Sequence, residues 1–269
     1  MGTIDNRTAD FLQNLTFFSG LPAADMDAFL DASYVRDHEK GAGLFHQGDR
    51  AESFFVIFSG WVKLYRNTAE GEEALVGIFT RGDVFGEAAL FDGSMYPVSA
   101  EVAEDTRLLA IPGKILKSRA QKNPDITTRM LSSLSREMQN IQRQNEQMAI
   151  MSASQRAACL LLQLSFRIIG QGGTFTFPYD KLLAAARLGM KPETFSRALA
   201  QLKSAGVTVK GTEVRIDSFA KLAEYSCGHC TALPGECKGC RASAACPLKN
   251  LNSQKRAAMH GGRSHEARK

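Results

Sequence analysis

Apolar and polar positions along the chain follow a rhythm that changes several times, and each change marks a new kind of element. Residues 8–33 carry helical spacing, with Pro22 early in the second piece, PAADMDAFLDAS. From about 34 to 111 the spacing gives way to short apolar runs: GLFHQGD, SFFVIFSG, WVKLYR, ALVGIF, DVFGE, PVSAEV and RLLAIP. Turn glycines recur at Gly48, Gly60, Gly71, Gly82 and Gly93, close to every eleven residues. Short strands at that interval, bounded by glycine, predict a small antiparallel barrel or sandwich filled by the apolar side chains.

Pro112 and Gly113 end the strands, and helices are predicted over KILKSRAQK and from about Asp125 to Met151. Apolar positions of the long helix are Ile126, Met130, Leu134, Met138, Ile141 and Met148, spaced four, four, four, three and seven. Asn145 falls in the last gap, and the opposite face (Arg136, Asn140, Arg143, Gln147) is strongly polar. A one-sided stripe with one amide in it predicts pairing with a second copy, the amide setting the register. Met130, Leu134, Met138, Ile141, Asn145 and Met148 are the predicted dimerisation residues. The competing reading is a helix packed on its own barrel.

Residues 153–169 predict another helix, with Leu160, Leu161, Leu164 and Ile168 inward, broken by Gly170, Gly172 and Gly173. Two further helices meet at Leu188-Gly189-Met190, and Pro192 opens the second, where its missing N–H costs nothing. On that helix Phe195, Leu199 and Leu202 fall on one stripe, while Glu193, Ser196 and Arg197 fall on the opposite face. A helix-turn-helix needs an apolar back to seat it and short or planar polar groups to reach base edges. Arg can grip guanine with two hydrogen bonds, and Glu can accept from cytosine N4. The hairpin-like VTVKGTEVRID that follows reads as a wing bringing Lys210 near phosphate. Any amphipathic helix pair has a polar front; the short glycine turn, the wing and the local charge separate this one.

Charge sharpens that picture. Residues 1–150 carry 15 Lys and Arg against 21 Asp and Glu, residues 151–226 carry 10 against 5, and residues 227–269 carry 8 against 2. An acidic front and a basic back predict nucleic acid meeting the back. The length of 269 residues suits about two domains, and 44% hydrophobic with 23% charged residues are globular proportions. No apolar run is long enough to span a membrane, and the first residues lack the pattern of a secretory signal, so a soluble cytoplasmic protein without membrane association is expected.

Over about residues 15–225 the chain resembles the CRP/FNR transcription regulators. The motifs are LFHQGD, FFVIFSGWVKLYR, GDVFGEAALFDGS and above all KPETFSRALAQLKSAGV. The resemblance implies an α+β chain: an N-terminal β-roll of the cyclic-nucleotide-binding type, a long dimerisation helix and a C-terminal winged helix-turn-helix. It implies a homodimer on double-stranded DNA, RNA polymerase as a partner, and no enzymatic activity. It places Glu193, Ser196 and Arg197 on base-contacting positions, similar to the Glu–Ser–Arg set of the FNR branch, which reads TTGAT-like half-sites. Lys191, Thr194 and Lys210 complete the expected DNA-contacting set. Lys191 departs from the pattern, since relatives often place a capping hydroxyl there.

The family's cyclic-nucleotide cassette has Gly-Glu, then an Arg-Ser pair about ten residues on. Gly86-Glu87 is present, but Pro97-Val98 occupies the Arg-Ser positions. Proline offers no donor where arginine would clamp phosphate, which argues against cyclic AMP. His46 is the candidate for haem, but a lone His beside a turn is more often polar surface, so haem is not expected.

Five of the six cysteines lie in CGHCTALPGECKGCRASAACP: Cys227, Cys230, Cys237, Cys240 and Cys246, the last followed by Pro247. Two CxxC pairs that close predict a metal site, with tetrahedral zinc, an iron–sulfur cluster and a metal-free thiol switch as the candidates. The resemblance to sensing regulators favours the cluster and a response to redox state, oxygen or nitric oxide. The alternatives are a small-molecule-responsive regulator with a zinc-held tail and, from another class, a thiol or iron–sulfur redox protein. His229 reads as a bystander. The expected organisation is a roll over 1–123, a dimerisation helix over 124–151, a winged helix-turn-helix over 152–226, a cysteine segment over 227–246, and a basic, disordered tail over 247–269.

Overall fold

The computed structural model describes residues 6–68, 71–92, 95–169 and 173–227. Two compact units divide between Glu137 and Met138.

The first unit opens with α1 (Asn6–Gln13) and α2 (Ala23–Ala32), the latter beginning after Pro22. Six strands follow: β1 (Tyr34–His38), β2 (Gly43–Phe45), β3 (Ser53–Asn67), β4 (Glu73–Thr80), β5 (Val84–Phe85) and β6 (Ser99–Pro112). They form one antiparallel sheet in the order β1-β6-β3-β4, with β2 also on β6 and β5 also on β3. This is the β-roll.

Two runs that read as separate strands, SFFVIFSG and WVKLYR, are one strand. Gly60, expected at a turn, sits at φ +89 inside β3, where the register with β6 shifts. A Cβ there would fall 2.2 Å from the Asp105 carbonyl oxygen, so glycine lets the strand kink and continue past its neighbour. Gly71 and Gly82 do lie between strands, both at positive φ.

The interior of the roll is packed with rings. Phe45 stacks on Tyr96 with centroids 3.7 Å apart, and Phe55 on Phe85 at 5.2 Å. Phe17, Phe18 and Phe29, from α1–α2 and the segment between them, close one side beside Phe54.

Then come α3 (Gly113–Lys122) and α4 (Pro124–Ile150). The division between the units falls inside α4, whose first turns bury Ile126 and Met130 in the core of the roll.

The second unit is built on α5 (Ala153–Ile168), followed by β7 (Gly173–Thr176), α6 (Lys181–Arg187), α7 (Pro192–Gln201), a single 3-10 turn, β8 (Val207–Lys210), β9 (Glu213–Ile216) and α8 (Phe219–Cys227). The strands form a three-stranded antiparallel sheet in the order β7-β9-β8. Leu160, Leu161 and Leu164 of α5 are buried, as expected. Ile168 is not: it is 43% exposed in the last turn of α5. The remaining tail cysteines, Cys230, Cys237, Cys240 and Cys246, together with His229 and residues 247–269, lie outside the described residues.

Candidate nucleic-acid interface

The helix-turn-helix is formed by α6 and α7. After α6 the backbone closes on itself: Leu188 and Met190 donate to Ala185 O, and Gly189 donates to Ala186 O. Gly189 takes φ +60, a conformation that costs glycine little. Lys191 is the N-cap of α7 with extended backbone and no side-chain capping bond, so the hydroxyl expected in relatives is not replaced. Pro192 holds the first helical position.

On α7 the burial follows the sequence stripe. Phe195, Ala198, Leu199 and the following Leu202 are buried, with the Phe195 ring edge-on to Phe177. Lys191, Glu193, Ser196 and Arg197 are exposed, and Thr194 is half-buried. The Arg197 Nε–H reaches back to Glu193 O at 3.4 Å, which leaves the guanidinium at the surface. The structure therefore brings Lys191, Glu193, Thr194, Ser196 and Arg197 together around the N-terminal turns of one short helix with an apolar back.

Helix α6 is held from behind by Tyr179, whose buried hydroxyl accepts from Arg187 Nη1 at 3.3 Å. Burial raises the Tyr179 pKa above the ordinary tyrosine range, and the Arg187 charge works against that rise.

The wing is β8–β9, turning at Gly211 (φ +58). Val207, Val214 and Ile216 point into the core, so period-two alternation turns Thr208, Lys210, Glu213 and Arg215 outward. With Asp217 they line an open recess of about 330 Å³. Lys210 lies on the exposed wing face as expected. Arg215, outside the set that the sequence points to, stands opposite Thr208 and pairs with Asp217 through Nε at 2.8 Å. Counting two residues along each strand from Lys210 and Glu213 would have found it.

The predicted dimerisation residues divide between two jobs. Met130 is 7% exposed and Leu134 packs against the roll core, so the competing reading holds for the first turns of α4. Met130 is removed from the partner-facing set. Further along, Met138 (60%), Ile141 (49%), Asn145 and Met148 are exposed, and so is Leu131, which lies outside the stripe predicted from sequence. Leu131, Leu134, Met138, Ile141, Asn145 and Met148 are spaced three, four, three, four, three. That is a/d heptad spacing with one amide in the stripe, and within it Leu134 is half-buried against the roll. The spacing of four from Ile126 to Met130 to Leu134 is a different stripe, the one that grips the roll.

In the roll, Gly86 (φ +87) and the buried Glu87 lead into a 3-10 turn, Ala88–Leu90. The Pro97 carbonyl, where the clamp arginine would begin, accepts from Arg66 Nε and Nη2 at 3.3 and 3.2 Å. Tyr96 fills the space beside it, donating to Ser53 O at 2.6 Å while its ring lies on Phe45. His46 stands on the surface with its ring 74% exposed, next to Asp49 at 3.6 Å. Among the described residues no group of three or more His, Cys, Asp or Glu is placed to hold a metal ion. Among them, too, no helix is long and apolar enough to cross a membrane.

A roll joined to a winged helix-turn-helix with a cationic, exposed front defines a DNA-binding regulator. Family models match on the same segments: a cyclic nucleotide-binding domain over residues 35–123 and a Crp-like helix-turn-helix domain over residues 155–225. The chain is 30% identical over 210 residues to the transcriptional activator protein FnrA of Stutzerimonas stutzeri, covering 76% of this chain and 86% of that protein. It is 29% identical over 212 residues to the cyclic AMP receptor protein of Thermus thermophilus, covering 78% and 96%. The solved structure of a candidate cyclic nucleotide binding protein from Ruegeria pomeroyi is 38% identical, with a TM-score of 0.64, over 81% of this chain and 96% of that one.

The chain belongs to the CRP/FNR family. It is a DNA-binding transcription regulator of that type, not an enzyme.

Proposed function

We propose that this regulator is a cytoplasmic homodimer that binds inverted-repeat DNA and answers to redox state, oxygen or nitric oxide through its C-terminal cysteines. The observation that carries the sensing part is the run Cys227-x2-Cys230-x6-Cys237-x2-Cys240-x5-Cys246, which starts on the last residue of α8 in the DNA-binding unit. Thiolates at that spacing suit an iron–sulfur cluster, with zinc as the alternative ion. Likeness to FnrA supports a regulator of the FNR type.

The exposed positions of the α4 stripe, Leu131, Met138, Ile141, Asn145 and Met148, support pairing with a second copy. A two-fold dimer places the two recognition helices about 34 Å apart, one turn of B-DNA. Arg197 and Glu193 then read base edges, Ser196 and Thr194 adjust the approach, and Lys191 and Lys210 hold phosphate. The Glu–Ser–Arg set fits TTGAT-like half-sites, and RNA polymerase is the downstream partner that the family suggests.

Protein purified without oxygen tests the sensing reading by its absorption spectrum. A broad band near the visible–ultraviolet border, lost together with the DNA response in Cys237→Ser with Cys240→Ser, is the expected result. Colourless, metal-free protein with unchanged oxygen-responsive DNA binding would sink it.

A second reading, a small-molecule regulator using the roll, is favoured by likeness to the Thermus cyclic AMP receptor protein. The Phe45–Tyr96 stack and Pro97 oppose it for cyclic AMP. Calorimetric titration with cyclic AMP decides: heat of binding at micromolar nucleotide would restore the roll as the sensor.

A further inference from the structure

Helix α8 ends at Cys227, so the cysteine segment continues directly from a helix of the DNA-binding unit. The seat of α8 is α5: Leu222, Ala223 and Ser226 are buried, and the Phe219 ring lies 6.4 Å from Phe166. Two residues before Cys227, Tyr225 makes a directional contact. Its hydroxyl donates to Ser154 Oγ at 3.1 Å.

Ser154 is buried in the first turn of α5, with its Oγ 3.2 Å from Ser152 Oγ. Ser152 is the N-cap of α5 in a reciprocal capping box: its Oγ accepts from Gln155 N at 3.2 Å, and its own N–H donates to Gln155 Oε1 at 3.0 Å. That N-cap is where α4 ends and α5 begins. One residue further on, Arg156 Nη1 donates to the Met148 carbonyl in the last turns of α4 at 3.1 Å. The Met148 side chain in turn lies against Gly189, the turn of the helix-turn-helix. A short run of hydroxyls and one guanidinium thus joins the end of α8 to the α4–α5 junction, and the junction touches the DNA-reading element.

We propose that Tyr225 is the positioning residue through which the C-terminal cysteine segment sets DNA affinity, acting through Ser154 on the α4–α5 junction. This rests on the reading of the cysteines as the signal input. The apolar seat of α8 survives small shifts, because burial is not directional. The Tyr225–Ser154 bond does not survive them: at 3.1 Å, a displacement of about half an ångström takes it out of hydrogen-bonding range. The segment after Cys227 can therefore act by favouring the latched or the unlatched junction, and DNA by preferring one of the two. The coupling is reciprocal, so DNA must also bias the cysteine segment.

The test is a cycle of four full-length proteins: wild type, Cys237→Ser with Cys240→Ser, Tyr225→Phe, and the combination. Each is measured for dissociation constant on a duplex carrying an inverted TTGAT repeat, and for amide exchange over residues 148–156. Tyr225→Phe keeps the ring and removes only the hydroxyl. The expected result is that the tail substitutions change the dissociation constant in the wild-type background and that Tyr225→Phe shrinks this change by about 3–10-fold, the worth of one hydrogen bond. Exchange at Ser152–Arg156 should respond to the tail only while Tyr225 is present. Ser154→Ala should behave as Tyr225→Phe, and Ser154→Thr should retain the coupling.

An equal change in both backgrounds overturns the role of Tyr225 and leaves the sensing reading standing. No change in the wild-type background overturns the sensing reading and this inference together.

Discussion

The sulfur of Met148 lies over Gly189: a Cβ placed on Gly189 would stand 3.1 Å from it. Met148 belongs to the last turns of α4 and Gly189 to the turn between α6 and α7. The positive φ of +60 favours glycine here, and the thioether above would have to give by a few tenths of an ångström to admit a Cβ. Gly189→Ala should cost about 1–2 kcal/mol from the left-handed backbone alone. That is a fall of roughly 4–8 °C per kcal/mol in Tm for a domain of this size. Met148→Ala in the same protein should recover only the contact part of the loss. Differential scanning calorimetry of the two variants and their combination checks this. An unchanged Tm for Gly189→Ala would mean that the turn is built differently.

Dimerisation should separate the two stripes of α4. Ile141→Glu puts a charge among the exposed positions of the heptad stripe and should yield folded monomers that fail on DNA. Met130→Glu should leave the heptad intact and unfold the first unit, since an unpaired charge would be buried in its core. Sedimentation velocity with circular dichroism distinguishes them. A dimeric Ile141→Glu protein would move the interface elsewhere.

DNA contacts should sort by kind. Arg197→Ala should cost about 1–3 kcal/mol and relax choice at one base position. Lys210→Ala should weaken all sequences alike and flatten the salt dependence by about one unit of slope. Binding titrations on single-base operator variants at several salt concentrations decide. Full sequence preference in Arg197→Ala would take α7 out of the major groove.

Alkali should weaken the fold through buried phenols. Burial raises the Tyr96 pKa, opposed by its bond to Ser53, and burial likewise raises that of Tyr179. The folded state holds the neutral form, while the unfolded chain ionises near about pH 10. Stability is therefore full below that pH and is lost as pH rises towards the folded pKa. Denaturation midpoints measured from pH 8 to 11 should decline in the upper part of the range. Tyr96→Phe should flatten part of the decline while costing about 1 kcal/mol at neutral pH for the lost bond to Ser53 O. A flat profile in the wild type would show that neither phenol is buried in solution.

Much of this protein was written locally. Periodicity places α2, α3, α4 and α5 within a few residues and sets α6 and α7 on either side of Leu188-Gly189-Met190, because an amphipathic stripe and a Pro or Gly boundary act over single turns; α8 has no such signal in the sequence. The front and back of α7 followed from residue spacing for the same reason: with 3.6 residues per turn, Phe195 and Arg197 cannot share a face. The motif residues of the roll and of the helix-turn-helix were enough to assign the family.

Contacts between distant segments were not legible. Gly60 reads as a turn in sequence, and only the approach of Asp105 on β6 makes it a kink inside one long strand. Met130 has the same apolar character as Met138, yet the roll core covers one and leaves the other exposed. Nothing in the spacing of Tyr225 and Ser154 announces a hydrogen bond across 71 residues. Periodicity tells which side of an element is apolar; what meets that side depends on where the rest of the chain has packed, and burial is decided by that packing rather than by the residue.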